Sequence, residues 1–237
     1  MTVTAWDEPS GATPRGTLIV LPGRGETAAS YQRFGRRLSA DAYRVRLVSV
    51  ELDDLDAARV TVEKLLADEA LPGPKVLVGT DSGATLAALL APELPADAVV
   101  LAGLALPDSS GVGSWEEEVE ARTACPVHRG VISQDQDFGR GGLNEALPWP
   151  SVSLAPSDKP TLLLHGSADP ITPVAAALAP YAEAGTVRVR VVNNGRHDVL
   201  NDASHRSVAA TIVLFLESLK LGSDLPDVVS ADWRAAS

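Results

Sequence analysis

The chain has little of what disulfide-linked, membrane-spanning or polyanion-binding proteins need. Cys125 is the single cysteine among 237 residues. No internal disulfide can form, and a reducing cytoplasm is the expected compartment. No apolar run approaches the roughly 18 residues of a bilayer span. The first residues lack a basic segment followed by an apolar one, which argues against a secretory leader. Basic residues are scarce. Lys and Arg number 20 against 31 Asp and Glu, giving a formal net charge of −11 and a pI of about 4.8. Such a surface repels a phosphate backbone, so nucleic acid is not an expected partner. No His and acid cluster has metal-ligand spacing, and no glycine run has a dinucleotide or P-loop pattern, so neither metal nor organic cofactor is expected. The sequence leaves pairing with a second copy open.

Hydrophobic residues make up 45% of the chain, enough for a sizeable core. The length fits one large α/β domain or two small ones. Strand-like and helix-like segments alternate throughout. Residues 17–21, 43–50, 76–79, 98–101, 161–165 and 187–192 read as strands. Tyr31, Phe34 and Leu38 share one helical face. Leu55, Ala58, Val62, Leu65 and Leu66 form another stripe, capped by Asp53 or Asp54. Residues 84–91 read as a buried helix, and Val208, Ile212, Phe215, Leu216 and Leu219 as a final amphipathic one ended by Gly222. Strands apolar on both faces and separated by helices predict a mostly parallel sheet with helices on both faces. Residues 1–222 are read as a single domain. The stretch 107–159 is too long for an ordinary loop and reads as a lid insertion. The tail 223–237 is polar and aperiodic, with Trp233 the one residue that suggests docking.

The most informative stretch is Gly79-Thr80-Asp81-Ser82-Gly83-Ala84, after an apolar strand and before a helix. It has the layout of a nucleophile elbow, in which small residues flank one exposed side chain. With Asp81 at the apex the flanking positions are Gly79 and Gly83; with Ser82 they are Thr80 and Ala84. The first register suits the strained turn better. A carboxylate attacks an sp3 carbon well and an ester carbonyl poorly, whereas a serine gives ordinary acyl transfer. Three further segments accompany the elbow. Pro22-Gly23-Arg24-Gly25-Glu26 follows an early strand and can present backbone N–H groups to developing negative charge. His165-Gly166-Ser167-Ala168-Asp169 ends a strand in a turn carrying an acid. Gly195-Arg196-His197 follows the last strand.

On these motifs the chain resembles an α/β-hydrolase from Leu18 to Leu219. Pro22-Gly23-Arg24-Gly25-Glu26, His165-Gly166-x-x-Asp169, and Gly195-Arg196-His197 with Leu200-Asn201-Asp202 are similar to the small bacterial lysophospholipase and monoglyceride-lipase-like branch. The resemblance implies a hydrolase acting on a small organic substrate, with the elbow residue attacking, His197 as base and Asp169 orienting it. N–H groups of Ser82 and the Arg24–Gly25 turn would stabilise negative charge. That branch carries serine at the apex. An aspartate there resembles haloalkane dehalogenases and epoxide hydrolases, which follow it with tryptophan where this chain has Ser82. Two other readings stay open: a lyase, isomerase or cyclase using Asp81 and His197 for proton transfer, and a binding protein with a decayed elbow.

Trp115 and Trp149 are placed to wall an apolar substrate pocket, although core packing explains them equally. His165 reads as a buried structural residue, His128 as a solvated loop position, and His205 as a surface or capping residue. Asp108 is the runner-up orienting acid, and Asp198 should point elsewhere. Glu116, Glu117 and Glu118 read as a solvated helix face.

Overall fold

The computed structural model describes residues 2–229. Its strands are β1 Val3–Trp6, β2 Gly16–Leu21, β3 Tyr43–Val48, β4 Lys75–Asp81, β5 Ala98–Leu104, β6 Thr161–Gly166 and β7 Val187–Val192. They form one sheet in the order β1-β3-β2-β4-β5-β6-β7. All neighbours are parallel except β1, which runs antiparallel to β3 along the edge. Every residue of β2, β5 and β6 is buried. Their apolar runs therefore serve both faces, as a sheet covered on two sides requires.

The helices are α1 Ala28–Ala40, α2 Leu55–Ala67, α3 Ser82–Leu90, α4 Trp115–Arg122, α5 Pro126–Gln134, α6 Val174–Leu178 and α7 His205–Leu221. Side chains alternate across a strand, and β2 shows the consequence. Leu18 and Val20 join Phe34, Leu38, Ile212 and Phe215 of α1 and α7 in one core. Ile19 and Leu21 join Ala58, Val62, Leu86 and Ala87 of α2 and α3 in the other. No helix among the described residues is long and apolar enough to cross a membrane.

Residues 107–159 leave β5, build α4 and α5 and a short 3-10 turn at Gly142–Asn144, and return to β6. Ser114 and Glu117 cap α4 reciprocally, an arrangement that satisfies donors at the helix start. Glu118 is not part of a solvated face. It is fully buried and paired at 2.7 Å with Arg122 one turn on. Its other oxygen accepts from the Gly141 N–H, a partner that a run of three glutamates does not reveal. Trp233 lies outside the described residues.

Candidate active site

The elbow is built by close backbone approach. A Cβ on Gly79 would lie 2.2 Å from the carbonyl oxygen of Gly83, and one on Gly83 would lie 2.2 Å from that of Leu21. Only glycine fits at either place. Between them Asp81 has φ 48° and ψ −122°, a conformation that costs a non-glycine residue about 1–3 kcal/mol. Asp81 is thus the apex residue, and Ser82 is the first residue of α3.

Three distant pieces of chain meet at this apex. His197 Nε2 lies 3.1 Å from Asp81 Oδ1, and its Nδ1 lies 2.8 Å from Asp169 Oδ2. Asp169 is fixed in turn. Its Oδ1 accepts from the N–H groups of Ile171 and Thr172 at 2.8 and 3.1 Å. His165 is buried, with Nε2 2.8 Å from the Thr172 carbonyl and 3.0 Å from Asp169 Oδ2. The His197 loop is tied to the insertion, since the N–H groups of His197 and Asp198 donate to the Ala121 and Arg122 carbonyls at 3.1 and 2.9 Å.

Arg24 completes the cluster. Its backbone N–H donates to Asp81 Oδ2 at 2.8 Å, its Nε to the same oxygen at 2.9 Å, and its Nη2 to Oδ1 at 2.7 Å. The remaining Nη1 reaches the carbonyls of Leu143 and Glu145 at 3.2 and 2.8 Å. The guanidinium therefore fastens the elbow carboxylate to the insertion. Its bidentate fork suits a carboxylate.

The charges alternate: Arg24, Asp81, His197, Asp169. Burial alone would raise the Asp81 carboxyl, but the Arg24 guanidinium and the hydrogen bonds from His197 and Arg24 hold it well below the usual carboxylate range. Burial would lower the imidazole, yet the charge and hydrogen bond of Asp169, then those of Asp81, push His197 up to about 10. Asp169 is lowered despite its burial, chiefly by the charge of His197. In this arrangement the imidazole is a proton donor toward Asp81.

Beside the apex opens a cavity of about 480 Å³, lined among others by Arg24, Gly25, Ser82, Gly139 and Glu145. Ser82 lines it, whereas Asp81 and His197 do not. Neither tryptophan walls this cavity. Trp115 packs on Phe138 at 5.6 Å with Arg140 stacked over it, and Trp149 packs on the core beside α2 and α3. Both rings are absorbed by apolar contacts within their own layers. Asp108 is exposed, away from the imidazole that Asp169 holds. His128 is buried on α5, its Nε2 2.9 Å from Asp198 Oδ2, so it is not a solvated loop residue. His205 is the half-buried first residue of α7.

A second buried network was not legible in the chain. Glu26 accepts from the Gly23 N–H at 2.8 Å, from the Thr80 hydroxyl at 3.1 Å and from the Tyr31 hydroxyl, and lies 3.4 Å from Arg122. Burial, then the nearby Asp198 charge, raises its carboxyl. The i, i+4 spacing of Glu118 and Arg122 was the one local signal of this network. Among the described residues no group of His, Cys, Asp and Glu is arranged to hold a metal ion.

Comparison with known proteins extends the picture. Residues 144–226 match the family described as TAP-like protein, a stretch that holds Asp169 and His197. No curated protein matches the sequence significantly. Among solved structures, the chain is similar to a soluble variant of monoglyceride lipase from Saccharomyces cerevisiae, with 14% identity and a TM-score of 0.73 over 92% of this chain and 91% of that one. It is similar to an esterase from a Rhodococcus species, with 19% identity and a TM-score of 0.67 over 92% and 95%. It is also similar to the type II thioesterase of the borrelidin biosynthetic cluster, with 22% identity and a TM-score of 0.63 over 90% and 97%.

Proposed function

We propose, from the α/β-hydrolase fold that this chain has, that it is a hydrolase whose covalent intermediate forms on Asp81. The names of its structural neighbours (lipase, esterase, thioesterase) support hydrolytic chemistry. The observation that carries the choice of residue is the contact of His197 Nε2 with Asp81 Oδ1 at 3.1 Å. Ser82 has no such base. A carboxylate nucleophile directs the reaction to an sp3 carbon bearing oxygen or halide, as in an epoxide or a haloalkane.

The cycle follows from the charges. Arg24 first swings clear of Asp81, which breaks its bonds to Leu143 and Glu145 and makes that turn of the insertion the lid. Oδ1 then attacks carbon, and the bond to the leaving group breaks. The His197 proton serves a departing alkoxide. Esterification removes the charge of Asp81, one of the two anions that hold His197 protonated; where the leaving group is a halide, which takes no proton, the imidazolium then releases its proton to solvent, and in either case the imidazole becomes a usable base. Neutral His197 takes a proton from water, and the hydroxide attacks the Asp81 ester carbonyl. The oxyanion lies toward the N–H groups of Arg24 and Ser82. Collapse expels the product alcohol and restores the carboxylate.

The saturated Asp81 carboxylate and the pre-protonated imidazole also favour a second reading, proton transfer without a covalent bond. A panel of p-nitrophenyl esters, epoxides and haloalkanes assayed with wild type, Asp81→Asn, Ser82→Ala and His197→Gln separates these. The covalent reading expects turnover of an sp3 substrate that Asp81→Asn abolishes and Ser82→Ala retains. It also expects His197→Gln to accumulate a mass adduct on the peptide holding residue 81. Turnover of esters that depends on Ser82 alone would overturn it.

A further inference from the structure

We infer that the cleft between α1 and α5 binds a small amphiphilic anion, an organic molecule with an apolar chain and a carboxylate head. The core face of α1 is Tyr31, Phe34 and Leu38. A second stripe, Ser30, Arg33 and Arg37, recurs beside it at helical spacing, and Arg36 adjoins that stripe. These residues line a cavity of about 450 Å³, walled on its other side by Val127, His128 and Val131 of α5. A volume of that order suits a small molecule.

Head and chain each have a counterpart. No acidic residue lines the cavity. None of its three arginines has a carboxylate partner among the described residues. Arg33 donates to the Cys125 sulfur and the Asn201 carbonyl, while Arg36 and Arg37 are exposed. In a chain of net charge −11 this opening is locally basic, and a concave basic surface concentrates anions. Val127, 65% exposed, and Val131 one turn on supply the apolar wall. Ser30 gives a separate sign of a missing partner. It is 2% exposed, and its hydroxyl is buried without a hydrogen bond. A helical hydroxyl can return to the carbonyl four residues earlier, as Thr211 does to Ser207; Ser30 does not. Buried polar atoms are normally paired, and a carboxylate gripped by the arginines supplies an acceptor. This cavity shares no lining residue with the one beside Asp81. One side chain joins it to the His197 loop, since His128 holds Asp198 at 2.9 Å.

The test titrates sodium octanoate, its neutral isostere octanamide, and sodium acetate into the full chain at low salt. Octanoate stays below its micellar range, and backbone amide shifts are followed by NMR. The double variant Arg36→Gln, Arg37→Gln changes exposed positions only, and its thermal transition checks folding. Exposed charges contribute a few-fold each, so octanoate should bind on the order of tenfold tighter than octanamide and lose that advantage in the variant. High salt should remove it too. Octanoate should shift the amides of Ser30, Val127 and Val131, and acetate, which has the head without the chain, should bind far more weakly. Equal binding of octanoate and octanamide, equal binding of octanoate and acetate, octanoate affinity unchanged in the variant, or no shift at those amides would overturn the proposal. A concentration-dependent dimer that Val127→Ser abolishes would assign the cleft to a second copy and overturn it as well. None of these outcomes touches the Asp81 reaction, which uses a different cavity.

Discussion

Replacing Arg24 with methionine tests how the elbow carboxylate is held. The guanidinium is 4% exposed and the Asp81 side chain 3%. The substitution removes three hydrogen bonds to Asp81 and two to the insertion, and keeps the backbone N–H that binds Oδ2. Asp81 is left facing His197 without its principal counter-charge, and the Leu143 and Glu145 carbonyls lose their donor. Removing one partner of a buried pair costs about 3–5 kcal/mol, far more than the pair contributes relative to an apolar replacement. For a domain of this size each kcal/mol moves the midpoint by roughly 2–4 °C, so Tm should fall by about 6–20 °C. Asp81→Asn alone strands the guanidinium and should be comparably costly. The double variant should be milder than the sum, with a coupling energy of about 2 kcal/mol or more. Urea unfolding at pH 7, followed by tryptophan fluorescence, gives all four corners of the cycle. An Arg24→Met cost below about 1 kcal/mol, or additivity within about 0.5 kcal/mol, would refute the latch.

Two further outcomes follow. His197 is raised from 6.5 to about 10, so its contribution is complete below about pH 6.5 and is lost as pH climbs through about 10. Stability should fall over that interval in wild type, and the fall should flatten in His197→Gln; an unchanged slope in the variant contradicts the assignment. Gly83→Ala would place a methyl 2.2 Å from the Leu21 carbonyl. It should lower stability by at least about 3 kcal/mol or prevent folding, and a variant with wild-type Tm would show that the elbow is looser than described.

Much of this architecture is legible in the chain because buried parallel strands must be apolar on both faces. β2, β4, β5 and β6 announce themselves this way. β1 does not, since it is four residues long with alternate positions exposed at the sheet edge. α5 is obscured by Gly130 and by an apolar face built from only part of its length. At the site, turns were readable and long side chains were not. Glycines at 79, 83 and 195 mark backbone geometry that local sequence controls. The direction of the Arg24 side chain is set instead by Asp81, 57 positions away. His128 finds its carboxylate in Asp198, and Glu118 accepts from the Gly141 N–H, 23 positions away. These partners are chosen by tertiary packing, which composition and periodicity do not encode. The tryptophans err in the opposite direction, because an aromatic in an insertion looks the same whether it faces substrate or a neighbouring helix.

The central claim is that oxygen passes through the Asp81 carboxylate. A single turnover of an sp3 substrate in water labelled with oxygen-18, followed by peptide mass spectrometry, addresses it directly. The account predicts label in the peptide containing residue 81 and unlabelled oxygen in the product of that first turnover. Label appearing in the product alone would contradict it.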